Sequence, residues 1–160
     1  MRRILKSFSQ LSADELFAIY KLRVAVFVVE QKCAYQEVDE VDKASYHLWY
    51  EDEDGIEAYL RIIPAGVTRK EVSLGRVIAV KRRCGLGTKI VSDAISFAKK
   101  ELKAKEIVIE AQTYVKSLYE QLGFRVESEE FFEDGIPHVH PSASQRCISS
   151  SNSVRSSFSR

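Results

Sequence analysis

The sequence has few cysteines, almost no net charge and no long apolar run. Its three cysteines, Cys33, Cys84 and Cys147, form no C-x-x-C pair, which argues against a disulfide scaffold or a zinc site and favours a reducing compartment. The 24 Lys and Arg residues nearly balance 23 Asp and Glu residues, so a nucleic-acid or membrane-surface partner gains no support. No apolar run approaches the ~20 residues that span a bilayer. We therefore expect a soluble, cytoplasmic protein without a metal.

Size and composition predict a single domain. The chain has 160 residues, of which 45% are hydrophobic, and this is enough for one core. The composition changes at Pro141, after which serine dominates and apolar residues are few. We predict a folded domain over residues 1–140 and a serine-rich, disordered tail over residues 141–160. A sheet that ended without a last strand would expose an edge, so monomer and homodimer both remain open.

Hydrophobic periodicity predicts alternating strands and helices. Ser12 and Glu15 form an S-x-x-E capping box at the start of an N-terminal helix. A longer helix follows Gly85 and carries its apolar residues on one side. The order of strand, helix and strand in the second half of the chain implies parallel or mixed pairing. We predict strands at His47–Tyr50, Ile56–Pro64, Val72–Val80, Glu106–Gln112 and Phe124–Phe132, and a short helix at Val115–Leu122.

An acidic run follows the N-terminal helix, and two interpretations of it remain open. It comprises Glu37, Asp39, Glu40 and Asp42. Such a run is commonly a solvated loop, but in this position it could also line the entrance for a cationic amine.

The join between a predicted strand and the longer helix carries the spacing R-x-x-G-x-G. Arg82, Gly85 and Gly87 occupy its fixed positions. Glycines without Cβ atoms let several N–H groups converge on an anion at the start of a helix, and a pyrophosphate is the anion that fits best. The dinucleotide fingerprint requires a glycine where Ile90 stands, and the P-loop requires a glycine where Thr88 precedes the lysine. An ordinary turn between a strand and a helix is the alternative.

Two further motifs connect this turn to a known family. Tyr119 to Phe124 has the pattern Y-x-x-x-G-F, and Arg23 to Tyr35 has the pattern R-x-x-V-F-V-V-E-Q-x-C-x-Y. Together with the glycine turn, they resemble the GNAT superfamily of N-acetyltransferases and its ElaA-like branch, over roughly Leu11 to His138. The resemblance implies an α/β fold with a central mixed, mostly antiparallel twisted sheet, helices on both faces and a splayed strand pair for acetyl-CoA.

The same resemblance implies a reaction and a cosubstrate. Such a domain transfers the acetyl group from acetyl-CoA to a primary amine by direct attack in a ternary complex. The backbone of one splayed strand would pair with the pantetheine arm, and the glycine turn would hold the pyrophosphate. The residues that match these positions are Ile78, Ala79, Val80, Arg82, Arg83, Cys84, Gly85, Leu86, Gly87 and Thr88.

The catalytic roles are an acid, a base and a stabiliser of the thioester oxygen. Tyr119 matches the family's general acid, and its alternative role is packing on the sheet. Glu110 is our choice of general base, while Glu30, Glu37 and His47 remain alternatives.

Arg23, Arg76 and Gln112 are polar residues on otherwise apolar elements, and they are candidates for the acceptor pocket because burial would penalise them unless they were paired. They would either shape that pocket or lock the sheet to a helix. A catalytically silent domain that binds acyl-CoA, or an interaction domain with an altered C-terminus, is the alternative to an enzyme. The acceptor candidates are Arg23, Glu30, His47, Arg76 and Gln112.

Overall fold

In the computed structural model, residues 1–81, 84–112, 125–126 and 144–150 are described, and their seven strands form one sheet. A 3₁₀ turn at Phe8–Gln10 precedes the first helix, which continues into a π-helical segment at Ala25–Glu30. The helices are α1 Ala13–Val24, α2 Val41–Ala44 and α3 Leu86–Lys100. The strands are β1 Arg2–Ser7, β2 Tyr46–Asp52, β3 Gly55–Ile63, β4 Val72–Ala79, β5 Glu106–Gln112, β6 Arg125–Val126 and β7 Ser144–Ser150.

The sheet is mixed and mostly antiparallel. Its strand order is β1-β2-β3-β4-β5-β7-β6. The pair β4 and β5 is parallel, and the other neighbouring pairs are antiparallel. Helix α3 makes the connection that a parallel pair needs. This confirms the predicted mixed sheet.

Each face of the sheet is covered by a helix. Helix α3 places Ile90, Ala94 and Ile95 against inward-facing residues such as Leu60 and Leu74, and all five are at most 1% exposed. On the opposite face, Ile19 of α1 packs with Trp49, Tyr59 and Ile78. The predicted arrangement with helices on both faces is confirmed. Among the described residues, no helix has the length and apolar character to cross a bilayer.

The predicted capping box sets the start of α1. The backbone N–H of Glu15 donates to Ser12 Oγ at 3.1 Å, and the backbone N–H of Ser12 donates to Glu15 Oε2 at 2.8 Å. Lys6 Nζ lies 2.7 Å from Glu15 Oε1, and this bond holds the pKa of Glu15 below its usual value. The box therefore ties α1 to the end of β1.

Two strands differ from the sequence prediction. Strand β1 was not predicted, because Arg2–Ser7 shows no apolar alternation; it forms by pairing with β2 from Arg2–Glu51 to Ser7–Tyr46. The predicted disorder of the tail is wrong over Ser144–Ser150, which form β7 and pair with all of β5. Backbone pairing supplies what the apolar pattern lacks, and it covers the edge expected to be exposed. The predicted helix at Val115–Leu122 lies outside the described residues, as does most of the strand predicted after it.

Candidate active site

Strands β4 and β5 stop pairing before the middle of β4. They pair at Val72–Ile107, Ser73–Val108 and Leu74–Ile109, and no further pair between them follows among the described residues. On its other side, β4 stays paired with β3 as far as Ala79. The second half of β4 therefore has one edge bonded to β3 and one edge turned towards the space between β4 and β5. We call this space the opening.

A β-bulge marks the point where the two strands part. Gly75 pairs with Arg61 and Ile78 pairs with Tyr59, so two residues of β4, Arg76 and Val77, stand opposite a single residue of β3. Arg76 adopts the left-handed conformation with φ +55°. This conformation costs a non-glycine residue about 1–2 kcal/mol and is normally taken by glycine in such bulges. Contacts elsewhere in the fold must therefore stabilise the left-handed conformation of Arg76.

The end of β4 presents backbone to the opening. The N–H of Val80 donates to the carbonyl of Glu57 in β3 at 2.8 Å. Because successive residues of a strand point their backbone groups to opposite edges, the N–H and C=O of Ala79 face away from β3. A ligand in the opening could bond to these groups as an added strand would.

The predicted glycine turn follows directly. Gly85 is left-handed with φ +80° and stands at the start of α3. A Cβ built on Gly85 would meet no atom of the described residues within 4 Å, so the space beside this turn is open with respect to them. Gly85 has no side chain with which to cap the first N–H groups of α3, at Leu86, Gly87 and Thr88, and these groups with the helix dipole form the positive end that suits an anion.

Side chains tether the start of this turn. Lys81 Nζ lies 3.7 Å from Asp52 Oδ2 and 3.8 Å from Glu57 Oε2, both on the hairpin of β2 and β3. The thiol of Cys84 donates to the Lys81 carbonyl at 3.0 Å. Arg82 and Arg83, which the sequence assigns to the pyrophosphate, lie outside the described residues.

The acidic run is buried at two of its four residues. Glu37 is 3% exposed and Asp42 is fully buried. Asp42 Oδ1 accepts from Arg23 Nη1 at 2.7 Å and from Arg61 Nη1 at 2.9 Å. Arg61 Nη1 also donates to Asp39 Oδ1 at 2.7 Å. The run therefore folds back onto α1 and β3 through ion pairs, and the interpretation as a solvated loop is wrong at these buried positions.

Glu37 completes this cluster by joining Arg23 to Arg76. Its Oε1 accepts from Arg23 Nε at 3.0 Å and from Arg76 Nε at 2.6 Å. Three guanidinium groups thus meet three carboxylates, and the formal charges cancel. We call this set the arginine cluster; its members are Arg23, Glu37, Asp39, Asp42, Arg61 and Arg76.

Burial and the neighbouring arginine charges shift the pKa of Asp42 in opposite directions. Burial alone would raise its pKa, but the hydrogen bonds and charges of Arg23 and Arg61 outweigh burial and hold the pKa below the usual value. Asp42 is therefore ionised in the folded protein, as a partner of two buried arginines must be.

His47 is fully buried beside the arginine cluster. Its Nε2 lies 3.0 Å from the carbonyl oxygen of Asp42, and its Nδ1 lies 2.7 Å from the hydroxyl of Tyr59. A carbonyl can only accept, so Nε2 carries the hydrogen, and in the neutral ring Nδ1 accepts from Tyr59. Burial lowers the pKa of His47 and raises that of Tyr59, which favours this neutral pair.

The structure thus brings two acceptor-pocket candidates, Arg23 and Arg76, onto one set of carboxylates, and a third, His47, bonds the backbone of Asp42 beside them. Glu30 is exposed at the end of the π-helical segment. Glu110 and Gln112 lie in β5 beyond the last pair with β4. Tyr119 lies outside the described residues. The arginine cluster itself was missed; three arginines on apolar elements, opposite three closely spaced acids, were the available signal.

Residues 9–142 match the model of the acetyltransferase (GNAT) domain. The chain belongs to the GNAT acetyltransferase family. A UPF0039 protein of Schizosaccharomyces pombe is 42% identical over 140 residues, which cover 85% of this chain and 92% of that protein. Protein ElaA of Escherichia coli is 34% identical over 135 residues, which cover 82% of this chain and 88% of ElaA.

A solved structure agrees with this assignment. The crystal structure of an acyl-CoA N-acyltransferase from Pseudomonas aeruginosa superposes with a TM-score of 0.81 at 31% identity, covering 94% of this chain and all of that one. The predicted GNAT fold and ElaA-like resemblance are confirmed. This GNAT domain is accordingly an acyltransferase of that family.

Proposed function

We propose that this GNAT domain transfers an acetyl group from acetyl-CoA to a primary amine by direct attack in a ternary complex. One observation carries the proposal: among the described residues, β4 has no partner on one edge beyond Leu74, and the chain continues from this strand to the open glycine start of α3. An extended pantetheine arm pairs with the first, and a pyrophosphate suits the second. The two features follow one another along the chain in the order that one acyl-CoA molecule would need.

The binding roles follow from this placement. Ile78, Ala79 and Val80 form the strand edge, and Ala79 directs its N–H towards the opening because Val80 uses its own N–H to bond β3. We assign the Ala79 N–H to the thioester oxygen, where it would stabilise negative charge. We assign the pyrophosphate to Arg82, Arg83, Cys84, Gly85, Leu86, Gly87 and Thr88.

The chemical step needs proton transfers at two atoms. The neutral amine nitrogen forms a bond to the acetyl carbon while the carbon–sulfur bond breaks; the amine loses a proton and the thiolate gains one. We assign the first proton to Glu110 and the second to Tyr119. Glu30, Arg76 and Gln112 would contact the acceptor, whereas the fully buried Arg23 and His47 would support the pocket from beneath.

Calorimetric titration of acetyl-CoA into the native chain and into Gly85→Val tests the binding part. We expect the valine side chain to fill the open turn and weaken binding at least about tenfold. Gly66→Val is the matched control, because Gly66 also has a positive φ, +87°, and open space around it. An equal loss in both variants would contradict the assignment of the pyrophosphate to the turn.

Thiol release tests the catalytic part. The native chain is incubated with acetyl-CoA and a panel of primary amines that includes small polyamines, amino acids and lysine peptides. Release that depends on an amine supports the enzyme. Tight binding of acetyl-CoA without release from any amine would favour the catalytically silent domain instead.

A further inference from the structure

The left-handed Arg76 is the feature of β4 that most needs an explanation. It is the one non-glycine residue with positive φ inside a strand in the described part of the chain; Lys32 and Lys103 share that conformation outside helices and strands. Its position in the bulge, opposite Leu60, determines how the following residues of β4 are presented. A glycine would adopt this conformation without strain, so the arginine side chain must contribute something in return.

That contribution is a two-point attachment to Glu37. Arg76 Nε donates to Glu37 Oε1 at 2.6 Å, and Arg76 Nη2 donates to the Glu37 carbonyl at 3.2 Å. Charge-assisted bonds of this kind are among the strongest in proteins. The ring of Tyr35 lies against the same guanidinium, with its centroid 5.6 Å from Cζ. The side chain of Arg76 is thus held from two sides by the loop that follows α1.

Glu37 is in turn fixed from behind. Arg23 makes the same two attachments to it, from Nε to Oε1 at 3.0 Å and from Nη2 to the carbonyl at 3.1 Å. Arg23 has no exposed surface and is itself held by Asp42. The other carboxylate oxygen of Glu37 is buried and has no hydrogen-bond partner among the described residues. All the described bonds of this carboxylate therefore go to the two arginines.

We propose that Glu37 and Arg76 are positioning residues. The bonds between them keep Arg76 in its left-handed conformation and so maintain the bulge of β4. The bulge in turn holds the edge at Ile78, Ala79 and Val80 in the shape that receives the acyl-CoA arm. That this edge receives an acyl-CoA arm rests on the proposed function. The loop after α1 thereby sets the geometry of a strand edge that it does not itself form.

Paired substitutions at Arg76 separate backbone shape from side-chain contact. Arg76→Ala removes the bonds to Glu37 and keeps the cost of a left-handed non-glycine residue, so the bulge should relax. Arg76→Gly removes the bonds to Glu37 and also that backbone cost, so the bulge should persist. Lys103→Ala and Lys103→Gly form the matched control, because Lys103 has nearly the same φ, +53°, at an exposed site. Hydrogen exchange of the amides from Val77 to Val80 is measured without any ligand, and acetyl-CoA affinity is measured by calorimetry.

We expect Arg76→Ala to speed exchange at these amides about tenfold and to weaken acetyl-CoA binding by a similar factor. Arg76→Gly should stay within about threefold of the native chain in both measurements. Glu37→Gln should weaken binding in the native background and have no further effect on binding in the Arg76→Gly background, because Glu37 acts on the bulge through its contact with Arg76. Neither Lys103 variant should change the amide exchange of β4.

Two results would overturn the inference: native exchange and affinity in Arg76→Ala, or equal defects in the alanine and glycine variants. The second would show that the side chain acts by direct contact and not through the backbone. If the native chain failed to bind acetyl-CoA, the proposed function would fall, and the exchange measurements on the ligand-free proteins would still decide whether Glu37 and Arg76 hold the bulge.

Discussion

Arg23 and Asp42 form a two-point ion pair in which neither side chain has exposed surface: Nη1 lies 2.7 Å from Oδ1, and Nη2 lies 3.2 Å from Oδ2. A buried pair of this kind contributes little net stability compared with apolar residues, but removing one partner leaves the other charge buried and uncompensated. The pair also joins α1 to the short helix α2. Substitutions at either residue should therefore act on the whole fold.

We expect Asp42→Asn to lower the free energy of unfolding by about 3–5 kcal/mol, because Arg23 and Arg61 both lose a charged partner. Urea denaturation measures this difference. Glu40→Gln is the control, because the pair of Glu40 with Lys43 is 87% and 64% exposed on its two sides, and such pairs contribute at most about 1 kcal/mol. Similar losses in both variants would contradict the importance of burial.

The buried His47 should make the fold sensitive to mild acid. Its pKa lies below the ordinary 6.5, chiefly because burial disfavours the imidazolium. The unfolded chain therefore binds the proton more readily than the folded protein, so the stabilising contribution is complete above about pH 6.5 and is lost as the pH falls towards the folded pKa.

Replacement of this histidine tests that sign. We expect His47→Gln to have a flatter dependence of unfolding free energy on pH between about 5 and 6.5 than the native chain. The carboxyl of Asp42, whose pKa lies below 3.8, does not titrate in that window. A slope that is unchanged by the substitution would mean that His47 is not the group responsible.

Tyr119→Phe should slow turnover and leave cosubstrate binding nearly unchanged. General acid catalysis commonly contributes about 10²-fold or more to a rate, and phenylalanine lacks the proton that the leaving thiolate needs. Tyr46→Phe is the control, because the Tyr46 ring packs edge-on against Phe97 on the α3 side of the sheet. Steady-state thiol release and calorimetry measure the two quantities. Equal rates for Tyr119→Phe and the native chain would remove Tyr119 from the mechanism.

Strand β7 should be needed for a stable sheet. A chain that ends at residue 143 would leave the whole of β5, Glu106–Gln112, without its antiparallel partner. We expect a lower melting temperature and association that increases with protein concentration, because an unpaired edge invites pairing with other chains. A chain that ends at residue 150 keeps β7 and is the control. A shared melting temperature in the two truncated chains would contradict a structural role for β7.

Local signals predicted much of this fold, and long-range contacts account for what they missed. The capping box of Ser12 and Glu15 fixed the start of α1, and β5 has the predicted bounds, because caps and apolar runs are properties of neighbouring residues. Strand β1 was missed since its pairing with β2 joins residues more than 35 positions apart. The solvated interpretation of Asp42 failed for the same reason, because its partner Arg61 lies 19 positions away.

The candidate site was likewise predictable only where its residues form a local sequence motif. The glycine turn was predictable because Gly85 and its neighbours form a contiguous motif at the start of a helix. The bulge at Arg76 was not, because no local pattern indicates a left-handed arginine in a strand; the conformation depends on Glu37, a residue of a distant loop. The roles of Tyr119 and Glu110 remain predictions.

The strand order also constrains when the molecule can fold during its synthesis. Strands β2, β3 and β4 pair with neighbours in chain order, so this part of the sheet can assemble as the chain emerges. Strand β5 is different, since its free side is covered by β7, whose last residue is Ser150. We therefore expect the nascent chain to carry an incomplete sheet until residue 150 has left the ribosome, and to need protection of that edge until then.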